Sequence, residues 1–103
     1  MKINQLIKFE PILKDKIWGG EKLATLLNKQ STRNDIGESW EISDVEGDTS
    51  IVVNGELKGK DLKQLITEFK ADLVGEKNYN HFGEKFPLLI KFIDAKEALS
   101  IQL

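Results

Sequence analysis

Cysteine is absent from this sequence of 103 residues, which removes disulfides, thiolate metal sites and a cysteine nucleophile together. That absence permits a cytoplasmic location. Histidine occurs once, at His81, and one imidazole without cysteine builds no ordinary three- or four-ligand zinc site unless several carboxylates join it. Long apolar runs are missing too: nothing approaches the ~18 residues of a membrane span. Residues 1–10 interleave Lys2, Asn4, Gln5 and Lys8 with apolar side chains, which is not the uncharged core of a signal peptide. An excess of one charge is also lacking, since 15 basic residues face 17 acidic ones at a pI near 5.4. Nucleic acid and anionic membrane are therefore not expected as partners. Neither G-x-G-x-x-G nor the P-loop pattern occurs, so no phosphate-cradling glycine motif is present.

What remains is an ordinary soluble composition, 40% hydrophobic and 31% charged, with no repeat or linker that divides it. One domain over residues 1–103 is expected. Leu6 to Leu13 is apolar but interrupted by Pro11, which suits an edge strand or extended segment, and Lys14 to Gly20 reads as a turn. Leu23, Leu26 and Leu27 fall at helical spacing within Glu21 to Leu27, with Gly20 and Asn28 as caps. Gln30 to Gly37 reads as loop. Glu38 to Asp44 and Thr49 to Val53 read as strands around a Glu46-Gly47-Asp48 turn, and Asn54-Gly55 signals another turn. Leu62, Leu65, Ile66 and Phe69 form one face of a clear helix. Ala71 to Val74 reads as a further helical turn ending at Gly75, and Glu76 to Lys85 as loop. Phe86 to Ala95 is the strongest strand, apolar enough to be covered on both faces. The fold class is mainly β with short helices.

The alternation of Leu99, Ile101 and Leu103 with Ser100 and Gln102 is that of a half-buried strand, and the sequence stops inside it. A fragment of a longer protein is the expectation. Lys91 is the sharpest anomaly among the side chains, one ammonium within the apolar stretch Leu88 to Ile93. Its stem can lie on apolar surface with the head in solvent at a sheet edge, or its charge can face an anionic or polyhydroxylated ligand. Ser100 and Gln102 share a strand face that is either solvated or turned to a substrate or metal. Trp18 beside Gly19 and Gly20 is either a packed turn or the aromatic wall of a sugar pocket. In Glu38 to Ser43, alternation sets Trp40 and Ile42 against Ser39, Glu41 and Ser43, whose polar face is either solvated or lines a barrel. His81, in its asparagine- and glycine-rich surroundings, reads as a surface residue.

Three segments taken together carry a resemblance. Ile17-Trp18-Gly19-Gly20, Gly37-Glu38-Ser39-Trp40-Glu41-Ile42-Ser43, and Phe86-Pro87-Leu88-Leu89-Ile90-Lys91-Phe92-Ile93-Asp94-Ala95 followed by Leu99-Ser100-Ile101-Gln102-Leu103 resemble the short bacterial type I mannose-6-phosphate isomerases. The match runs through essentially the whole chain in the family's order. It implies the N-terminal part of a cupin, a jelly-roll β-barrel, in a zinc enzyme that interconverts mannose 6-phosphate and fructose 6-phosphate. The family continues the last segment as Gln-x-His-Pro, so by resemblance this sequence stops just before the motif histidine. Gln102 is then the one metal ligand that carries over, Lys91 the lysine pointing into the substrate cavity, and Ser100 and Trp18 residues that line it. The remaining ligands and the family's catalytic arginine would lie beyond Leu103. Residues 1–103 alone are expected to be inactive and to bind no stoichiometric zinc. Two other readings stand beside this one: a non-catalytic cupin-like sugar-binding or regulatory module, and an interaction domain that self-associates through its exposed C-terminal strand.

Overall fold

The computed structural model describes residues 5–29 and 33–97. Strands and short helices make up its regular structure, in keeping with the expected class, and no closed barrel forms among the described residues. In chain order the elements are β1 (Ile12–Gly20), α1 (Lys22–Thr25), β2 (Ile36–Ile42), β3 (Asp44–Val45), β4 (Asp48–Thr49), α2 (Leu62–Phe69), α3 (Ala71–Val74), α4 (Glu76–Phe82) and β5 (Ile90–Ile93). They belong to two compact units, one of Met1–Glu10 with Ile42–Leu89 and one of Pro11–Glu41 with Ile90–Leu103.

The first unit is organised by α2. Asp61 caps it by accepting from the Gln64 N–H at 2.8 Å, while the Gln64 side chain accepts from the Asp61 N–H at 2.9 Å. This reciprocal capping box satisfies two amides that would otherwise lack partners. The apolar stripe read from sequence is the buried face, since Leu62, Leu65, Ile66 and Phe69 are all buried. Each such side chain contributes about 2 kcal/mol by leaving water. Val52, Leu65 and Phe69 form the core, with Ile7, Phe9, Leu57 and Leu73 packed around them. The turn read over Glu46-Gly47-Asp48 is Glu46-Gly47, joining β3 to β4 as an antiparallel pair. The strand read over Thr49 to Val53 contracts to β4, with Ile51 and Val52 in isolated bridges to Asp61 and Phe9. Buried Ser43 and Ser50 stitch this region, the Ser50 hydroxyl accepting from the Ser43 N–H at 2.8 Å.

α3 ends at Gly75 as its sequence suggests, and the φ of +90° there is a conformation that other residues adopt at a cost. The reading of Glu76 to Lys85 as loop is corrected: Glu76–Phe82 is α4, and Gly83 is only its C-terminal stop. Polar residues lowered the apparent helicity, but α4 is an exposed helix with no buried residue, so it shows no apolar stripe.

The second unit holds a three-stranded sheet in the order β1-β2-β5. Lys14 to Gly20, read as a turn, lies instead within β1, antiparallel to β2. The glycines admit close approach: a Cβ at Gly19 would stand 2.4 Å from the Asp35 carbonyl oxygen. Glycine here serves neighbouring backbone, as in an irregular strand, and register shifts follow Lys14 and Asp15. Ile36 and Gly37, read as loop, begin β2. α1 is shorter than expected, and its N-cap is Glu21 rather than Gly20. Across the chain, Asp94 Oδ2 accepts the Lys22 N–H at 2.9 Å, a tertiary partner for that helix start. The strand expected over Phe86 to Ala95 contracts to β5, whose four residues are exposed rather than covered. β5 lies at one end of the sheet order, and its apolar side chains are exposed among the described residues.

Candidate functional site

Alternation along β2 puts Glu38 and Trp40 on one face of the sheet and Ser39 and Glu41 on the other. β1 brings Lys14 opposite Glu38 and Ile12 opposite Trp40. β5, on the other side of β2, delivers Lys91. The Lys91 ammonium donates to Glu38 Oε1 at 3.0 Å, and the Trp40 indole N–H donates to that same oxygen at 2.8 Å. Lys91 also stands 6.0 Å from the Trp40 ring centroid, with Lys14 at 4.6 Å. Two ammonium groups and one carboxylate thus gather on a single aromatic platform.

Burial differs between the partners. The Glu38 side chain is 10% exposed, while that of Lys91 is 32% exposed. Glu38 is therefore sheltered, and Lys91 is partly open to solvent. Burial works to raise the Glu38 pKa, but the hydrogen bonds from Trp40 and Lys91 and the charges of Lys91 and Lys16 outweigh it. The carboxyl lies below its ordinary value and stays ionised. On the opposite face Ser39 donates to Glu41 Oε2 at 2.9 Å, and Glu41 is paired with Lys29. Lys29 in turn lies 5.7 Å from the Phe92 ring, as the alternation of Lys91 and Phe92 requires.

Of the residues singled out from sequence, Lys91 lies at the centre of this cluster. Trp18 stands on β1, its ring against Gly37, where a Cβ would come 2.6 Å from the ring. The aromatic beside the Lys91 charge is instead Trp40. Ser100 and Gln102 lie outside the described residues. His81 is exposed on α4 and packs edge-to-face on Phe82 at 4.4 Å. Glu38 and Lys14 were missed. The available signal was Glu38-x-Trp40, two residues apart and so on one strand face, where the indole N–H reaches the carboxylate.

Among the described residues no three histidine, aspartate or glutamate side chains converge as metal ligands. A cavity of about 570 Å³ in the first unit is lined by apolar side chains including Phe9, Leu62, Phe82 and Phe86, with Asn78 alone polar. Its lining does not suit an anionic sugar. No helix among the described residues is long and apolar enough to cross a membrane.

The second unit is thus a small β-sheet that presents a carboxylate-held lysine beside an indole on one face. Residues 6–103 match the family described as phosphomannose isomerase type I, catalytic domain, and the chain belongs to that family. It is 37% identical over 98 residues to the mannose-6-phosphate isomerase ManA of Bacillus subtilis, covering 92% of this chain and 28% of that protein. It is 38% identical over 88 residues to the mannose-6-phosphate isomerase of Streptococcus mutans, covering 85% of this chain and 26% of the relative. The crystal structure of the mannose 6-phosphate isomerase from Bacillus subtilis superposes with a TM-score of 0.72 at 34% identity, covering 86% of this chain and 27% of that one. The chain thus spans little more than a quarter of the length of these relatives.

Proposed function

We propose that this chain is the N-terminal part of a cupin-type mannose-6-phosphate isomerase, and that Lys91 provides its cation toward the sugar phosphate. The observation that carries the reading is the Lys91 head, partly exposed on a sheet face and held by a sheltered carboxylate. Membership in the isomerase family supplies the reaction. Aldose-ketose interconversion moves hydrogen between neighbouring sugar carbons and develops negative charge on oxygen. A fixed ammonium stabilises such an oxyanion or binds the phosphate. Trp18 and Ser100 line the same substrate site, and the protein works in the cytoplasm.

Activity in the whole protein depends on zinc, with Gln102 among its ligands. The described residues do not assemble a zinc site, so this expectation rests on the family and on a residue outside them. Residues 1–103 alone neither isomerise nor hold stoichiometric zinc. This chain, studied alone, self-associates through its C-terminal strand from Leu99 to Leu103, a segment outside the described residues.

The test is an isomerase assay on the whole protein that carries this sequence, with Lys91→Met beside the parent. Interconversion that chelator abolishes and zinc restores, with kcat/KM falling about 100-fold or more in the variant, is expected for a lost transition-state cation. A whole protein that binds sugar phosphate without turnover is a binding module instead, and an unaffected variant removes Lys91 from the site. One tightly bound zinc per isolated chain by elemental analysis overturns the fragment expectation, as a strictly monomeric chain in sedimentation overturns self-association.

A further inference from the structure

We infer that Glu38 is a positioning residue that holds the Lys91 ammonium at one place on the sheet face, with the Trp40 indole N–H fixing the carboxylate that does the holding. The inference deepens the proposed function, since it takes Lys91 as the cation offered to the sugar phosphate. Lysine is a flexible four-carbon stem ending in a point charge, and left alone it samples many rotamers. In this sheet one oxygen, Glu38 Oε1, accepts from Lys91 at 3.0 Å and from Trp40 at 2.8 Å. The two donors come from different strands, and Trp40 is two residues from Glu38 on the same face of β2. A carboxylate anchored by a rigid indole gives the ammonium one address, and its own burial keeps it from competing for solvent.

The charged groups around Glu38 are Lys14 and Lys16 from β1 and Lys91 from β5. Glu38 touches no substrate in this scheme. It removes the entropy cost of ordering Lys91 at the moment of binding.

The test is residue-resolved lysine acetylation of the whole protein that carries this sequence, read by mass spectrometry, without sugar or added metal. Lys91 of Glu38→Gln is expected to label about five-fold faster than that of the parent, the size of effect an ion pair of this exposure supports. Lys63, whose side chain is 60% exposed, is the internal reference and keeps its rate. Trp40→Phe, which keeps the ring and removes the indole N–H, raises Lys91 labelling by a smaller factor, and Glu38→Asp partly restores protection. An unchanged Lys91 rate in Glu38→Gln overturns the inference, as does an equal rise at Lys63, which marks general loosening. Failure here leaves the isomerase reading standing, whereas a whole protein without isomerase activity overturns that reading and leaves these labelling rates as they are.

Discussion

Leu65 on α2 and Glu38 on β2 are both buried, yet the two units around them are held by different physics. Around α2 the buried side chains are apolar, Val52, Leu65 and Phe69 packing on one another. Around β2 buried Glu38 is satisfied by named donors, and buried Ser39 donates to the half-buried Glu41. An apolar core accepts any complementary shape, whereas a buried carboxylate tolerates only partners that replace its lost water. In the polar unit those specific partners also fix where the Lys91 charge is presented.

That contrast can be broken from either side. Leu65→Ala should cost the most, about 3 kcal/mol in urea unfolding, because it opens a cavity at the centre of the apolar unit. Gly19→Ala strikes the sheet, where the added carbon would meet the Asp35 carbonyl and the Gly37 nitrogen. A loss of about 2 kcal/mol is expected. Both tryptophans, Trp18 and Trp40, lie in the sheet unit, so their emission should register this variant more than Leu65→Ala. Asp61→Ala removes the α2 cap and should cost about 1 kcal/mol, with faster amide exchange confined to the first turn of that helix.

The smallest expected effect is that of acid. Asp35 is held below its ordinary carboxylate value chiefly by its hydrogen bond from Arg33, and Glu38 also lies low. Burial acts on Glu38 in the other direction and is outweighed by Trp40 and Lys91. A lowered folded pKa contributes stability that is fully present above the unfolded value and is lost as pH falls through the folded one. The loss therefore begins near the ordinary glutamate value of 4.5 and grows below it. In an acid titration, Trp emission should change in that range in the parent, and Glu38→Gln should remove the Glu38 part. A titration identical in the variant would assign the change to other carboxyls.

Legibility in sequence follows the same division. The α2 stripe could be read because Leu62, Leu65, Ile66 and Phe69 repeat at the helical period and one face suffices to bury them. The Ala71–Val74 turn and its stop at Gly75 were equally local. β1 was not legible, since Gly19 and Gly20 signal a turn unless the neighbouring backbone they admit is known. α4 lacked a buried stripe, and the apolar run at Phe86 to Ala95 suggested more strand and more cover than β5 has. Lys91 stood out by its surroundings, whereas Glu38 looked like any charged strand residue until β5 was placed beside β2.

By itself the sequence determined the apolar face of α2, the helical turn before Gly75, the strand character of β2 and the family to which the three motif segments point. Each of these depends on neighbours a few residues apart, or on the order of motifs along the chain. Only the tertiary structure decided that Lys91 is answered by Glu38 and that Trp40, not Trp18, stands beside its charge. Glu38 and Lys91 are 53 positions apart, and no local periodicity encodes which carboxylate meets which ammonium. Pairing of β2 with its neighbours in the sheet brings them within hydrogen-bond range, and burial then makes the partner obligatory.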